Sequence, residues 1–357
     1  MACDLVERHG LSHFAGRVYN RYSVVIPWTR PLLEAIEPAR RGFQLAAQHG
    51  EPAFASYACR NLVSVLLARG HPLEQVEREA GQGLAFVLPF GFYLDRVSAP
   101  LALVRTLRGK TATFGSLDDG RFTEKSFEER ATGEPARTFL ECYYWLRKLQ
   151  ARFFAGDYVS ALTAAEEVGR WYARSASLSL HVVEKSEYQF FAALSHAASC
   201  QPTGSAPYDR HEEVLKTHAR ELRNLAASCP DNFEARATLV GAEIARLEGR
   251  ERDAERLYEA AVTSARENEL IHDEALANEL AARFYAARSL DRIARVYLRD
   301  ARDAFRQWGA DGKVRQLEAQ YPYLTHEQPA SDPTHTVMTP VEHLDLCLLY
   351  TSDAADE

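Results

Sequence analysis

The chain has 357 residues, of which 46% are hydrophobic and 26% are charged, a balance typical of folded proteins and far from that of disordered ones. Its net charge of -8 argues against a nucleic-acid partner, because proteins that bind the phosphate backbone present a basic surface. The longest apolar run, 84–94, contains a proline and a glycine and is about half of the roughly 20 residues that a membrane span needs. We therefore expect no membrane partner, and expect this run to be a helix end packed into the core.

From Leu11 to Gln320 the apolar residues recur three and four positions apart, as they do on one face of an α-helix. No run shows the alternation of a β-strand. This pattern predicts an all-α chain. The clearest apolar stripes lie between Phe139 and Phe153, Tyr158 and Tyr172, Leu215 and Leu225, and Leu290 and Phe305.

Short turns join these helices in pairs, and two of the turns share a chemistry. At Gly156 and at Gly249 the glycine ends one helix, and an alanine follows five residues later, at Ala161 and Ala254. A small residue at that position lets the second helix cross close to the first, as it does in tetratricopeptide-like hairpins. The turns therefore indicate a repeating helical hairpin.

The hairpin is itself repeated along the chain. A displacement of 39 residues places Ala281 on Ala242 and Tyr297 on Tyr258, a looser spacing than the roughly 34 residues of a strict tetratricopeptide repeat. One hairpin cannot bury its apolar face alone, so neighbouring hairpins must stack. We therefore predict that residues 1–320 form a degenerate tetratricopeptide-like superhelix, an α-solenoid.

Other segments interrupt this pattern or follow it. Residues 110–125 are rich in Gly, Ser, Thr and Asp and predict a surface loop between hairpins. Residues 321–346 are rich in Pro and Thr and predict a linker toward a downstream domain. Residues 347–357 translate back into DNA that resembles a sequencing adapter, so we expect them to be non-native. Because Met1 also begins inside an apparent helix, we expect the array to be truncated at both ends.

Two glycine-containing segments resemble ligand-binding loops only superficially. The segment from Gly309 to Val314 lacks the spacing of a phosphate loop; we expect a helix end and a new helix, with Lys313 and Arg315 in solvent. Asp118-Asp119-Gly120 is too short for a calcium loop and predicts a turn.

The remaining reactive residue types form no catalytic pattern. Cys347 lies in the adapter-like tail, and the other five cysteines have no CxxC spacing, so we expect them to be reduced, as in the cytoplasm. The histidines form no HExxH pair. We therefore expect no metal, no cofactor and no catalytic residue, so that the chain is not an enzyme.

One face could bind a partner. In the predicted helix around residue 145, Tyr144, Lys148 and Arg152 are spaced four apart and share a face. An aromatic and cationic face of this kind could line a concave groove for a peptide or a neighbouring domain. The alternative is an ordinary packed helix whose cationic side chains cover apolar surface.

The block from Glu274 to Leu317, followed by Glu318 to Leu324, resembles the helical region of very large bacterial hybrid signalling proteins. Further matching strings run from Val25 to Arg30, from Trp145 to Tyr158 and from Leu239 to Arg250. In those proteins a serine/threonine kinase domain and a signal-transduction ATPase precede the helical region, and a GAF domain with a sensor histidine kinase follows it.

The resemblance implies a noncatalytic, tetratricopeptide-like regulatory array whose partners are the adjoining ATPase and sensor-kinase domains. The family's kinase, nucleotide and phospho-accepting histidine motifs have no counterpart in this sequence. The alternative is a freestanding adaptor that binds a protein or peptide. A third possibility, an all-helical enzyme, would need polar residues clustered in a closed pocket.

Overall fold

The computed structural model describes residues 2–91, 94–131, 138–174, 181–200 and 206–325. Across these ranges it contains helices and turns and no strand, which confirms the predicted all-α class. Its α-helices are α1 (Ala2–Arg8), α2 (Ser12–Val25), α3 (Leu33–Gln48), α4 (Pro52–Arg69), α5 (Leu73–Val87), α6 (Asp95–Leu107), α7 (Glu124–Ala131), α8 (Thr138–Ala155), α9 (Tyr158–Arg174), α10 (Val182–Ser199), α11 (Ala206–Ser228), α12 (Pro230–Leu247), α13 (Glu251–Glu267), α14 (Ile271–Ala287), α15 (Asp291–Trp308) and α16 (Asp311–Gln320). Short 3₁₀ helices span Ile26–Trp28, Leu88–Phe90 and Pro322–Thr325.

The helices form two layers of a solenoid. Helices α4, α10, α12 and α14 are buried around most of their circumference and form the inner layer. Helices α3, α5, α13 and α15 each bury a single face and form the outer layer. Each inner helix packs against the helix that follows it, most extensively α14 against α15 and α12 against α13. The predicted hairpins are therefore the structural unit.

The same tight turn ends many of these helices. The first or second residue after the helix adopts a left-handed conformation. Its N–H bonds to the carbonyl three residues back, and the next N–H bonds to the carbonyl five residues back. This pair of hydrogen bonds occurs at Gly10, Gly50, Gly70, Gly109, Gly156, Gly249, Glu269, Ser289 and Gly309. The last four positions are evenly spaced along the chain, so one helix with its turn has a constant length in this part of the array.

The register of the repeat differs by one residue from the register that the sequence predicts. The residues buried on α13 are Ala254, Tyr258, Ala261, Val262 and Ala265, and those buried at the corresponding positions of α15 are Ala294, Leu298, Ala301, Arg302 and Phe305. Each member of the second set lies one position beyond the place that the predicted displacement gives it. The buried equivalent of Tyr258 is Leu298 and not Tyr297, so residue type alone predicts the wrong register.

The array coils back on itself. The Asn232 side chain accepts the Leu32 N–H at 2.8 Å, and the Arg69 guanidinium lies 2.5 Å from the Glu269 carboxylate. On the last helix, Arg315 donates to the Gly109 carbonyl at 2.9 Å. Each contact joins residues that are far apart in sequence, so the early hairpins lie directly against the late ones.

Two details of the structure differ from what the sequence suggests. The folded part continues to Thr325, a short way into the predicted linker, because Leu324 is buried and its carbonyl accepts a hydrogen bond from Arg302. The rest of the linker, 326–346, and the adapter-like tail, 347–357, lie outside the described residues. The apolar run 84–94 is not packed into the core throughout, since Leu88 and Phe90 are exposed.

The joint at Ser289 offers a test of the observed register. Ser289 has a φ of 60°, whereas the equivalent position of the preceding hairpin carries Gly249 with a φ of 72°. A left-handed residue that is not glycine costs about 1 kcal/mol, so Ser289→Gly is expected to raise the free energy of unfolding by up to about 1 kcal/mol. Gly249→Ala should lower the free energy of unfolding by a similar amount, because alanine also disfavours a left-handed backbone. The added Cβ meets no neighbouring atom there, so no further loss is expected. Urea unfolding of both variants measures this, and opposite signs for the two changes are required.

Candidate functional site

The structure places Tyr144, Lys148 and Arg152 on one face of α8, as predicted, but that face is not an open groove. The Tyr144 side chain is completely buried. The Lys148 and Arg152 side chains are only 15% and 17% exposed. The face is covered because another part of the same chain lies over it, so its use for binding a partner stays a prediction.

The covering part consists of residues 115–131, which we call the cover segment. It contains the second half of the predicted surface loop and helix α7. The loop is not simply at the surface, because Leu117 and Phe122 are buried. The predicted turn is present: the Asp119 side chain accepts the N–H groups of Arg121 and Phe122 at 2.9 and 2.8 Å.

Aromatic contacts hold the cover segment against α8. The rings of Phe127 and Tyr144 have their centroids 4.3 Å apart, and the ring of Phe122 lies 6.1 Å from that of Tyr144. The Tyr144 hydroxyl donates to the Glu128 carboxylate. Burial, with this hydrogen bond in second place, raises the pKa of Tyr144 above its ordinary value. Tyr144 is therefore held as a neutral donor.

Ion pairs complete the contact. Glu124 lies 2.9 Å from the Lys148 ammonium and 2.6 Å from the Arg152 guanidinium, and it accepts the Leu117 N–H at 2.7 Å. Glu128 lies 2.6 Å from Lys148. Burial acts to raise the pKa of Glu124, but the Leu117 N–H and the two cations outweigh it and hold the pKa below its ordinary value. Glu124 therefore meets the cations as an anion.

A cavity of about 650 Å³ lies on the other side of α7, between α7, α5 and α6. Its wall is mostly apolar, with polar and charged groups at Asp95, Arg105, Arg121 and Arg130. The apolar residues that line it are Leu84, Ala85, Leu88, Leu94, Phe122 and Leu140. The cover segment thus contacts α8 with one side and borders this cavity with the other. On the cavity side Asp119 pairs with Arg105, and Arg130 pairs with Asp95.

A second group of polar residues lies deep between the helices. The Arg147 guanidinium donates to Glu187 at 2.5 Å and to the Ser64 hydroxyl at 2.8 Å. The Arg236 guanidinium lies 2.8 Å from Asp273 and 3.0 Å from the His272 ring. These side chains are almost completely buried and come from α4, α8, α10, α12 and α14. The sequence does not predict this group, because no local spacing connects its members. The one indication in the sequence is a charged residue on an otherwise apolar helix face.

Lys313 is also buried, which contradicts the prediction that it is solvated. Its ammonium donates to Glu279 at 2.9 Å and to the Phe154 carbonyl at 3.1 Å. The reason is that α16 begins against the carboxyl end of α8, whose free carbonyls attract a cation. Arg315, two residues later, is exposed as predicted.

These arrangements do not assemble a recognisable reaction centre. Arg147, Arg236 and Lys313 are each paired with a buried carboxylate, as a packed interior requires. Within the described ranges no three His, Cys, Asp or Glu side chains are grouped as metal ligands would be. In the same part of the chain, no helix is both long and apolar enough to cross a bilayer. The site best suited to binding is the α8 face under its cover segment.

Comparison with known proteins adds little to this picture. No protein-family model and no curated protein matches the sequence. Nine chains of solved structure are similar to it, one of them described as "Circular tandem repeat protein with novel repeat topology and enhanced subunit contact surfaces". That likeness has 15% sequence identity and a TM-score of 0.25 over 91% of this chain and 87% of the other. At such a score it supports no conclusion about fold or function.

Buried histidines predict how stability depends on pH. Burial lowers the pKa of His218 and of His272 from 6.5 to about 4. The unfolded chain therefore binds protons that the folded chain does not, so stability is complete above pH 6.5 and decreases as the pH falls toward 4. We expect a lower urea midpoint at pH 5.5 than at pH 7.5. His218→Gln should reduce the difference between the two urea midpoints, and the exposed control His9→Gln should leave it unchanged. Equal midpoints at both pH values for the wild-type chain would contradict the prediction.

The buried Lys313 predicts a large loss of stability when it is removed. Lys313→Met leaves the Glu279 carboxylate buried with only Arg283 beside it, which is expected to cost about 3 kcal/mol of unfolding free energy. Adding Glu279→Leu should recover part of that loss. The matched change on the exposed side of the same helix, Arg315→Met, should cost less than about 1 kcal/mol. Urea denaturation of the four proteins tests this, and a Lys313→Met chain as stable as the wild type would refute it.

Proposed function

We propose that this chain is a noncatalytic helical-repeat segment that regulates or scaffolds a multidomain signalling protein through contacts with other protein segments. The observation that supports binding is the α8 face itself. That face holds a polypeptide segment through packed aromatic rings and paired charges. The chemistry of a peptide-binding surface is therefore built into the array, although its occupant here belongs to the same chain.

The signalling context rests on the sequence resemblance to large bacterial hybrid kinases. In such a protein the array would lie between an upstream ATPase and a downstream sensor histidine kinase, and those adjoining domains would be its partners. The coiling of early hairpins against late ones supports a relay role, because a displacement at one end of a coiled array reaches the other end through direct contacts such as Arg69 with Glu269.

A second candidate, a freestanding peptide-binding adaptor, is favoured by the same face. It differs from the first only in where the bound segment comes from. An adaptor binds a segment of a separate protein, whereas a relay segment binds domains of its own polypeptide.

The coding sequence on both sides of this chain distinguishes the two. The relay proposal predicts an open reading frame that encodes a kinase or ATPase module upstream and a sensor kinase downstream. A reading frame without such modules would remove the relay role and leave the adaptor. We also expect no ATP hydrolysis by the purified chain in a phosphate-release assay; turnover that copurifies with the chain through several columns would contradict the noncatalytic proposal.

A further inference from the structure

Helix α7 is attached to the rest of the array in an unusual way. Among the described helices, none packs its backbone closely along that of α7. A small set of long side chains holds α7, chiefly Phe127, Glu124 and Glu128 against α8. Its other flank borders the cavity of about 650 Å³. On that second flank Arg130 pairs with Asp95 of α6 at 3.4 Å. Side chains, and no closely packed neighbour among the described helices, therefore hold α7 in place.

The face beneath α7 has the composition of a recognition surface. It presents the Tyr144 ring and hydroxyl together with the cations of Lys148 and Arg152. Each of these groups is matched by one of opposite or complementary character on the cover segment: two phenylalanine rings for the tyrosine ring, and two carboxylates for the cations. Because the chain carries a net charge of -8, a face with two cations differs in charge from its average surface.

We propose that the α8 face is a docking site for an acidic, aromatic segment of a partner protein, and that the cover segment occupies it in cis as a competitor. The partner segment would carry two aromatic side chains and two carboxylates in the order found from Phe122 to Glu128 (FTEKSFE). This inference rests on the proposed function, since it names the chemistry of the partner that the array would bind.

Competition of this kind has a quantitative consequence. A partner binds only the fraction of molecules whose cover segment is displaced, so its apparent affinity falls in proportion to that fraction. Weakening the cis contact without touching α8 must therefore strengthen binding in trans. When the cover segment is displaced and no partner is bound, water would hydrate Lys148 and Arg152.

The test uses the full chain and a peptide of its own sequence. A fluorescein-labelled peptide of residues 120–131 (GRFTEKSFEERA) is titrated with the wild-type chain and with the Phe127→Ala/Glu128→Lys variant, and binding is read by fluorescence anisotropy. We expect the variant to bind at least tenfold more tightly than the wild type. Glu129→Lys makes the same charge change one residue later on an exposed side chain and should bind like the wild type.

A second peptide controls for the charges. In this peptide lysine replaces the residues that correspond to Glu124 and Glu128. The peptide should then bind neither the wild-type chain nor any variant. If Phe127→Ala/Glu128→Lys unfolds, as judged by circular dichroism, Glu128→Gln replaces it, with an expected gain of about threefold because one ion pair with Lys148 is lost.

Two outcomes would overturn the inference: equal affinity of the wild type and the opened variant for the peptide, or equal binding of the charge-reversed peptide. Neither outcome would contradict the proposed function. That proposal fails if the flanking reading frame encodes no partner domain and the chain binds no protein. Hydrogen exchange gives an independent readout, since the α7 amides should exchange faster in Phe127→Ala/Glu128→Lys than in Glu129→Lys.

Discussion

The inner helices bury most of their circumference, and their charged side chains therefore depend on partners inside the protein. Arg147 with Glu187, Arg236 with Asp273, and Lys313 with Glu279 meet this requirement, and each pair joins two different helices. Such pairs are costly to break because the remaining partner would be left buried alone. They specify which helices are neighbours, and through them the coiling of the whole array.

The joints supply the second constraint. At the nine joints named above, a left-handed residue ends the helix with the same two hydrogen bonds, so the chain reverses direction without an added loop. In the hairpins from α12 to α15 this keeps the spacing of the joints even. Where the chain departs from that spacing, between α6 and α8, it adds the cover segment. The candidate site therefore lies at an interruption of the repeat, where an inserted segment lies over a neighbouring helix.

Much of the fold could be predicted from the sequence because its determinants are local. Helical periodicity and the glycines at 156 and 249 were enough to predict hairpins. The register could not be predicted, since residue type favoured Tyr297 where burial selects Leu298. For the candidate site, sequence placed Tyr144, Lys148 and Arg152 on one face correctly but could not show what covers them. The prediction that Lys313 is exposed was wrong for the same reason. Its partners Glu279 and Phe154 are distant in sequence and come close only when the array coils.

The central claim is that the hairpins coil until early and late ones touch, and the distance between positions 69 and 269 tests it most directly. With the native cysteines replaced, spin labels at these two positions can be measured by pulsed electron paramagnetic resonance. The coiled array predicts one short distance, about 20 Å or two helix diameters. An open stack would separate the labels by several hairpins, roughly 50 Å at about 10 Å per hairpin, and a distance in that range would contradict the account.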